Sequence, residues 1–157
     1  MHKIPRYRLC FVCGRDNAAS LDVQFFREGP RIHCEWTPDP KHLGYPDRAH
    51  GGIVATILDE AMSWAPAADW KRMAYSIELT VKYRRPVPRG MKCRVEAEVV
   101  ELKRRFARTT GRVLDVQGIV CAEANGLYFP LPDGKTEEIL PELYIEDERR
   151  RVTLDDL

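Results

Sequence analysis

Between residues 53 and 65 the apolar side chains fall into two rows, Ile53, Ile57, Ala61 and Trp64, and Val54, Leu58, Met62 and Ala65. Spacings of three and four residues belong to one helix face, and two adjoining rows leave little of the circumference polar. The pattern predicts a helix buried on most sides, with Thr56, Asp59, Glu60 and Ser63 confined to a narrow stripe and Pro66 ending or kinking it. From Tyr75 the period drops to two: Ile77, Leu79, Val81 and Tyr83 alternate with Ser76, Glu78, Thr80 and Lys82, which predicts a half-buried strand. Val95, Ala97 and Val99 repeat the alternation, and further strands are expected over Phe106–Asp115 and Ile119–Phe129, on either side of a turn at Gln117-Gly118. Upstream, Leu21–Phe26 and Arg31–Trp36 read as a hairpin around Glu28-Gly29-Pro30. Pro38, Pro40, Gly44 and Pro46 make the stretch before the helix a long loop.

Two strands, one very apolar helix and four more strands predict an α+β fold in which an antiparallel sheet curls around the helix. Residues 1–130 are expected to form the domain, with 1–20 as a lead-in. Residues 131–157, proline-bearing and densely charged, are expected to be a poorly ordered or loosely docked extension.

Composition narrows the function. The 157 residues carry 44% hydrophobic and 31% charged side chains, a globular balance with no apolar run of membrane-spanning length. The net charge is +1 and basic residues are interspersed with acidic ones, so neither nucleic acid nor a membrane is an expected partner. No secretory pattern opens the sequence, and the five cysteines are an odd number. A cytoplasmic location with reduced thiols is therefore expected. Cys10 and Cys13, in CFVCG, have the spacing of a zinc half-site, but no second pair follows and only His33 and Cys34 lie near in sequence. The pair is expected to be structural and metal-free.

The chemistry concentrates in AHGGIVATILDEAMSW. His-Gly-Gly opens the helix, an acid follows nine residues after the histidine, and a long strand ends in Tyr-Arg-Arg-Pro. Over roughly Cys10–Phe129 the sequence resembles the hotdog-fold acyl-CoA thioesterases, especially their PaaI-like branch. The resemblance implies a hotdog domain that hydrolyses acyl-CoA, with coenzyme A entering only as part of the substrate and no cofactor, and with chains paired as homodimers or homotetramers. By that likeness the Gly51 amide polarises the thioester carbonyl beside His50 and Gly52, and Asp59 is the general base or nucleophile. Helix physics supports the first role, because the first N–H groups of a helix lack internal acceptors and carry the positive end of its dipole. It supports the second because a carboxylate on so apolar a helix is costly unless paired or used. Glu60 lies about 100° further round the helix and is the weaker candidate.

Ser63, one turn beyond Asp59, is placed either to hydrogen-bond the carboxylate or to bond its own backbone. Ser76 matches a hydroxyl position of some relatives. Arg84 and Arg85, beside Pro86, are candidates for the phosphates of coenzyme A, since guanidinium meets phosphate in bidentate pairs. Lys103, Arg104, Arg105 and Arg108 offer a second basic patch. Trp64, Trp70 and Met73 are candidates for either pocket or core. One position departs from the branch: Gly44 stands where many relatives carry an amide residue. A hotdog domain that binds acyl-CoA without turning it over is accordingly the alternative, and a dehydratase lacks its Asp/His dyad spacing here.

Gly51 and Asp59 are eight residues apart, so along one helix their backbones lie ~12 Å from each other. Both must approach within ~3 Å of the reacting group or its water. Helix geometry thus predicts active sites shared between two copies of the chain.

Overall fold

A computed structural model describes residues 1–146, 148 and 150–157. The strands are β1 (His2–Lys3), β2 (Arg6–Tyr7), β3 (Phe26–Glu28), β4 (Arg31–Trp36), β5 (Leu43–Tyr45), β6 (Arg48–Ala49), β7 (Ala74–Tyr83), β8 (Cys93–Leu102), β9 (Ala107–Leu114), β10 (Val120–Pro130) and β11 (Leu143–Tyr144). The α-helices are α1 (Gly51–Trp64), α2 (Ala67–Trp70) and α3 (Lys135–Ile139). Seven strands form one antiparallel sheet in the order β1-β3-β4-β8-β9-β10-β7, and α1 packs across it. The two apolar rows of α1 meet the sheet, leaving Ile57, Leu58, Ala61 and Met62 without solvent exposure. As the proline predicts, α1 ends at Trp64 and Pro66 precedes α2.

Contact between α1 and the sheet is close because two strand positions lack side chains. A Cβ at Gly111 would lie 2.9 Å from Met62 Sδ, and one at Gly126 would lie 3.0 Å from Met62 Cε. Glycine inside a strand marks such an approach.

Three expectations change. The first hairpin uses β3, at Phe26–Glu28, rather than Leu21–Phe26. Leu21, Val23 and Phe25 do alternate into the core, but their partners are irregular segments of the lead-in: the Leu21 N–H donates to Phe11 O and the Val23 N–H to Val12 O. The loop before α1 contains a 3-10 turn at Pro40–His42 and the small β5–β6 hairpin. The C-terminal segment, expected to dock loosely, adds Leu143, Ile145, Val152 and Leu157 to the core, and β11 pairs with β2. The last turn of the chain, Leu154–Asp156, lies against α2, and Asp156 accepts from Arg150 and from the Thr153 N–H and hydroxyl.

β7 is the open edge of the sheet and runs for ten residues. Its alternation is broken by a bulge: Glu78 pairs with Leu127 and Ser76 with Tyr128, so Ile77 opposes no residue of β10. Ile77 is 49% exposed and Tyr83 54%, although the sequence pattern assigns both to the buried face.

Candidate active site

β6 delivers the chain to the start of α1, where His50 is extended (φ −64°, ψ 135°) and serves as N-cap. Its Nδ1 accepts from the Gly52 N–H at 2.9 Å, so the neutral ring carries its proton on Nε2. A Cβ on Gly52 would come within 3.0 Å of that Nδ1, which explains the second glycine. Gly51 is the first helical residue. Among the described residues no acceptor faces its N–H, while its carbonyl oxygen accepts from Tyr83 Oη at 2.8 Å. A side chain at Gly44 would run into the His50 ring, since a Cβ there would lie 3.1 Å from His50 Cδ2. The space open to an amide side chain at this position is therefore taken by His50.

The start of α1 opens onto a cleft of about 570 Å³ lined by Tyr45, His50, Gly51, Tyr83, Arg84, Arg85 and Pro86, among others. Arg84 is committed to Glu123, with its Nε 3.1 Å from Oε1. Arg85 has no ion-pair partner among the described residues, so it is the freer of the two for an anionic ligand. Lys103, Arg104, Arg105 and Arg108 do not line this cleft, and Glu101 lies 3.7 Å from Lys103 and 3.5 Å from Arg108. Trp64 is buried in the core, Met73 packs against it, and Trp70 donates from Nε1 to Lys103 O; none lines the cleft.

Asp59 is half-buried on α1, and its Oδ1 accepts a 2.8 Å hydrogen bond from Tyr128 Oη. Tyr128 is fully buried, and burial followed by the facing Asp59 charge pushes its hydroxyl pKa far above the usual tyrosine value. It therefore stays protonated and donates. Gly126 makes the contact feasible, because a Cβ there would lie 2.5 Å from the Tyr128 ring. Gly126→Ala is expected to displace Tyr128 and lower stability by about 1–3 kcal/mol, measured by chemical denaturation. Through the bulge, Ser76 becomes the register partner of Tyr128 and joins the face turned toward α1. Ser63 takes the local option: its Oγ donates to Glu60 O at 2.9 Å, not to Asp59.

Glu60 is turned toward the lead-in. Its carboxylate oxygens lie 3.4 and 3.5 Å from Cys10 Sγ. Burial, and then the Cys10 charge, push its pKa up to about 8. The Cys10 thiol is held down at about 5, first by a hydrogen bond from Cys13 and then by the Cys13 and Val12 amides. The five cysteines form no disulfide among the described residues.

Two tyrosines that hydrogen-bond to Gly51 and Asp59, Tyr83 and Tyr128, were not singled out by the sequence. Tyr83 belongs to the Tyr-Arg-Arg-Pro turn, and Gly126, two residues before Tyr128 within a strand, was the available signal for a close approach.

A curled antiparallel sheet with one long helix across it, and a cleft at that helix's glycine-rich start, define a hotdog-fold protein. The sequence profile of the thioesterase superfamily matches residues 47–122, which contain both Gly51 and Asp59. Over that span the chain is similar to this superfamily. Among solved structures it is similar to the thioesterase superfamily protein RHA08564, at 24% identity and a TM-score of 0.69. That match covers 77% of this chain and 63% of the other, so the chain spans less than two thirds of that relative. It is also similar to the Escherichia coli PaaI protein from the phenylacetic acid degradation operon, at 17% identity and a TM-score of 0.65 over 71% of this chain and 81% of the other. A Streptococcus mutans protein solved bound to acetyl CoA matches at 17% identity and a TM-score of 0.65, over 69% of this chain and 88% of the other. No helix of the described residues is long and apolar enough to cross a membrane.

Proposed function

We propose that the protein hydrolyses acyl-CoA thioesters at sites formed between two copies of the chain. The observation that carries the reading is the Gly51 N–H, free at the start of α1 and opening onto a cleft that also presents Arg85, while a tyrosine-held carboxylate stands eight residues along the same helix. The acetyl CoA bound by the Streptococcus mutans protein of the same fold supports the ligand class.

In this mechanism water attacks the thioester carbonyl carbon and Asp59 takes its proton. The carbonyl oxygen, now an oxyanion, accepts from the Gly51 N–H, where the helix dipole favours negative charge. Collapse of the tetrahedral species breaks the C–S bond, and the proton on Asp59 passes to the departing coenzyme A sulfur. Tyr128 is a positioning residue: by occupying Oδ1 it fixes the carboxylate and leaves Oδ2 for the water.

One protomer cannot bring Gly51 and Asp59 together across ~12 Å of helix. The open edge of β7 supplies a means of pairing, since a ten-residue edge strand with exposed Tyr75, Ile77 and Tyr83 is a template for another strand. A second chain paired there would lay its α1 beside the first.

Release of free thiol from a panel of acyl-CoAs tests the reading. Thermal stabilisation by acyl-CoA with no thiol released would instead establish the binding module, the alternative that Gly44 against His50 keeps in view. For ligand binding, Arg85→Ala is expected to raise KM for acyl-CoA several-fold and to leave a short thioester lacking the nucleotide unchanged, because phosphate contacts contribute uniform binding. Arg84→Ala should have the smaller effect, its guanidinium being held by Glu123. Equal effects on both substrates would remove the arginines from coenzyme A recognition.

A further inference from the structure

The lead-in contains a thiol pair that the thioesterase reading does not use. Cys10 Sγ accepts from the Val12 N–H at 3.3 Å and the Cys13 N–H at 3.5 Å, so the CFVCG turn wraps its own backbone around the first sulfur. Gly14 closes the turn. Its N–H donates to Cys10 O at 3.0 Å, and a Cβ there would fall 2.4 Å from Arg8 O and 2.5 Å from Cys10 N and O, so only glycine fits. Arg6, itself 2% exposed, holds the far side by donating from Nε to Cys13 O at 2.6 Å.

A third group meets this turn from fifty positions away in the chain. Cys10 Sγ, Cys13 Sγ and a Glu60 carboxylate oxygen all lie within 4.8 Å of one another. In a tetrahedral zinc site, with Zn–S ~2.3 Å and Zn–O ~2.1 Å, two sulfurs are spaced by roughly 3.8 Å and a sulfur and an oxygen by roughly 3.6 Å. Cys10 Sγ and Glu60 Oε2 are 3.4 Å apart. No lysine, arginine or histidine among the described residues pairs with Glu60, so three groups that can each become anionic converge with no cation between them.

We propose that Cys10, Cys13 and Glu60 bind one Zn²⁺, with the fourth position left to water on the half-exposed Cys10 side. The ion would join the lead-in to α1 at the residue next to Asp59, a brace for the helix that carries the candidate base. The missing second cysteine pair led the sequence reading to a metal-free turn. The third ligand comes instead from the helix, where residue spacing could not reveal it.

The test reads the metal and not turnover, so it stands whether or not the protein is a thioesterase. Full-length protein purified under reducing conditions without chelators is analysed for zinc, then stripped and titrated with Zn²⁺ and with Co²⁺. The expected result is about one zinc per chain that survives dialysis, together with a thiolate-to-cobalt charge-transfer band and the visible absorption of a tetrahedral cobalt site. Glu60→Gln keeps the shape of the side chain and is expected to weaken Zn²⁺ binding at least ~10-fold, consistent with the loss of one ligand. Wild-type protein that retains well under one zinc per chain and shows no charge-transfer band on saturation with Co²⁺ overturns the proposal. So does a Cys10–Cys13 disulfide that forms in air at an unchanged rate with Zn²⁺ present, which would make the pair a redox couple.

Discussion

Asp59→Asn is expected to lower kcat for acyl-CoA hydrolysis by about 10²–10⁴-fold while the protein remains folded. The stability half of this expectation follows from the hydrogen bond at this position. Tyr128 Oη donates to Asp59 Oδ1, and an asparagine oxygen accepts the same bond in the same place. What the amide cannot do is take a proton from water. A thermal midpoint within a few degrees of wild type beside a collapse in kcat would identify Asp59 as the base. Tyr128→Phe separates positioning from chemistry. It removes the donor while keeping the ring that fills the space above Gly126, so it should cost about 1 kcal/mol of stability and lower kcat less than Asp59→Asn does. If Asp59→Asn keeps more than about a tenth of wild-type kcat, Asp59 does not activate the water.

These effects centre on contacts between residues that are distant in the chain, and this distance set the limit of what the sequence alone disclosed. The helix was legible because its two apolar rows have a period that no other structure satisfies, and Ile57, Leu58, Ala61 and Met62 are buried as that period requires. Sheet strands were legible by the same means, but a period of two cannot foresee an extra residue. The bulge at Ile77 exposes a side chain that the alternation buries and turns Ser76 to the face of Tyr128. Gly51 and Asp59 were singled out because His-Gly-Gly and an acid nine residues after the histidine resemble the thioesterase pattern, with helix physics in support. Their supports are matters of tertiary packing: Tyr83 reaches Gly51 across 32 positions, Tyr128 reaches Asp59 across 69 and Glu60 meets Cys10 across 50. The tail was misjudged for a related reason, since Leu143, Ile145, Val152 and Leu157 are too sparse to show a period, and the tail packs against β2 and α2, both distant in the chain.

Mixing a Gly51→Pro chain with an Asp59→Asn chain is expected to restore activity that neither chain has alone. Gly51 tolerates proline on structural grounds. It is the first residue of α1, where proline is well accommodated, and the preceding His50 is already extended at ψ 135°, as a residue before proline prefers. A Cβ at Gly51 would make only ordinary contact with the Tyr83 ring, at 3.5 Å. The substitution therefore deletes the N–H with little other change, and loss of one oxyanion donor should lower kcat by about 10²–10³-fold. In a mixed dimer with antiparallel α1 helices, one site combines the intact Gly51 of one chain with the intact Asp59 of the other, and the second site carries both defects. Random mixing of equal amounts places half of the chains in mixed dimers with one working site each, so activity should recover to roughly a quarter of wild type. Mass spectrometry of differently tagged chains confirms subunit exchange independently of turnover. Heterodimers that form and stay inactive would place both groups in one chain, a result that ~12 Å of helix between Gly51 and Asp59 makes incompatible with direct action of both on one thioester.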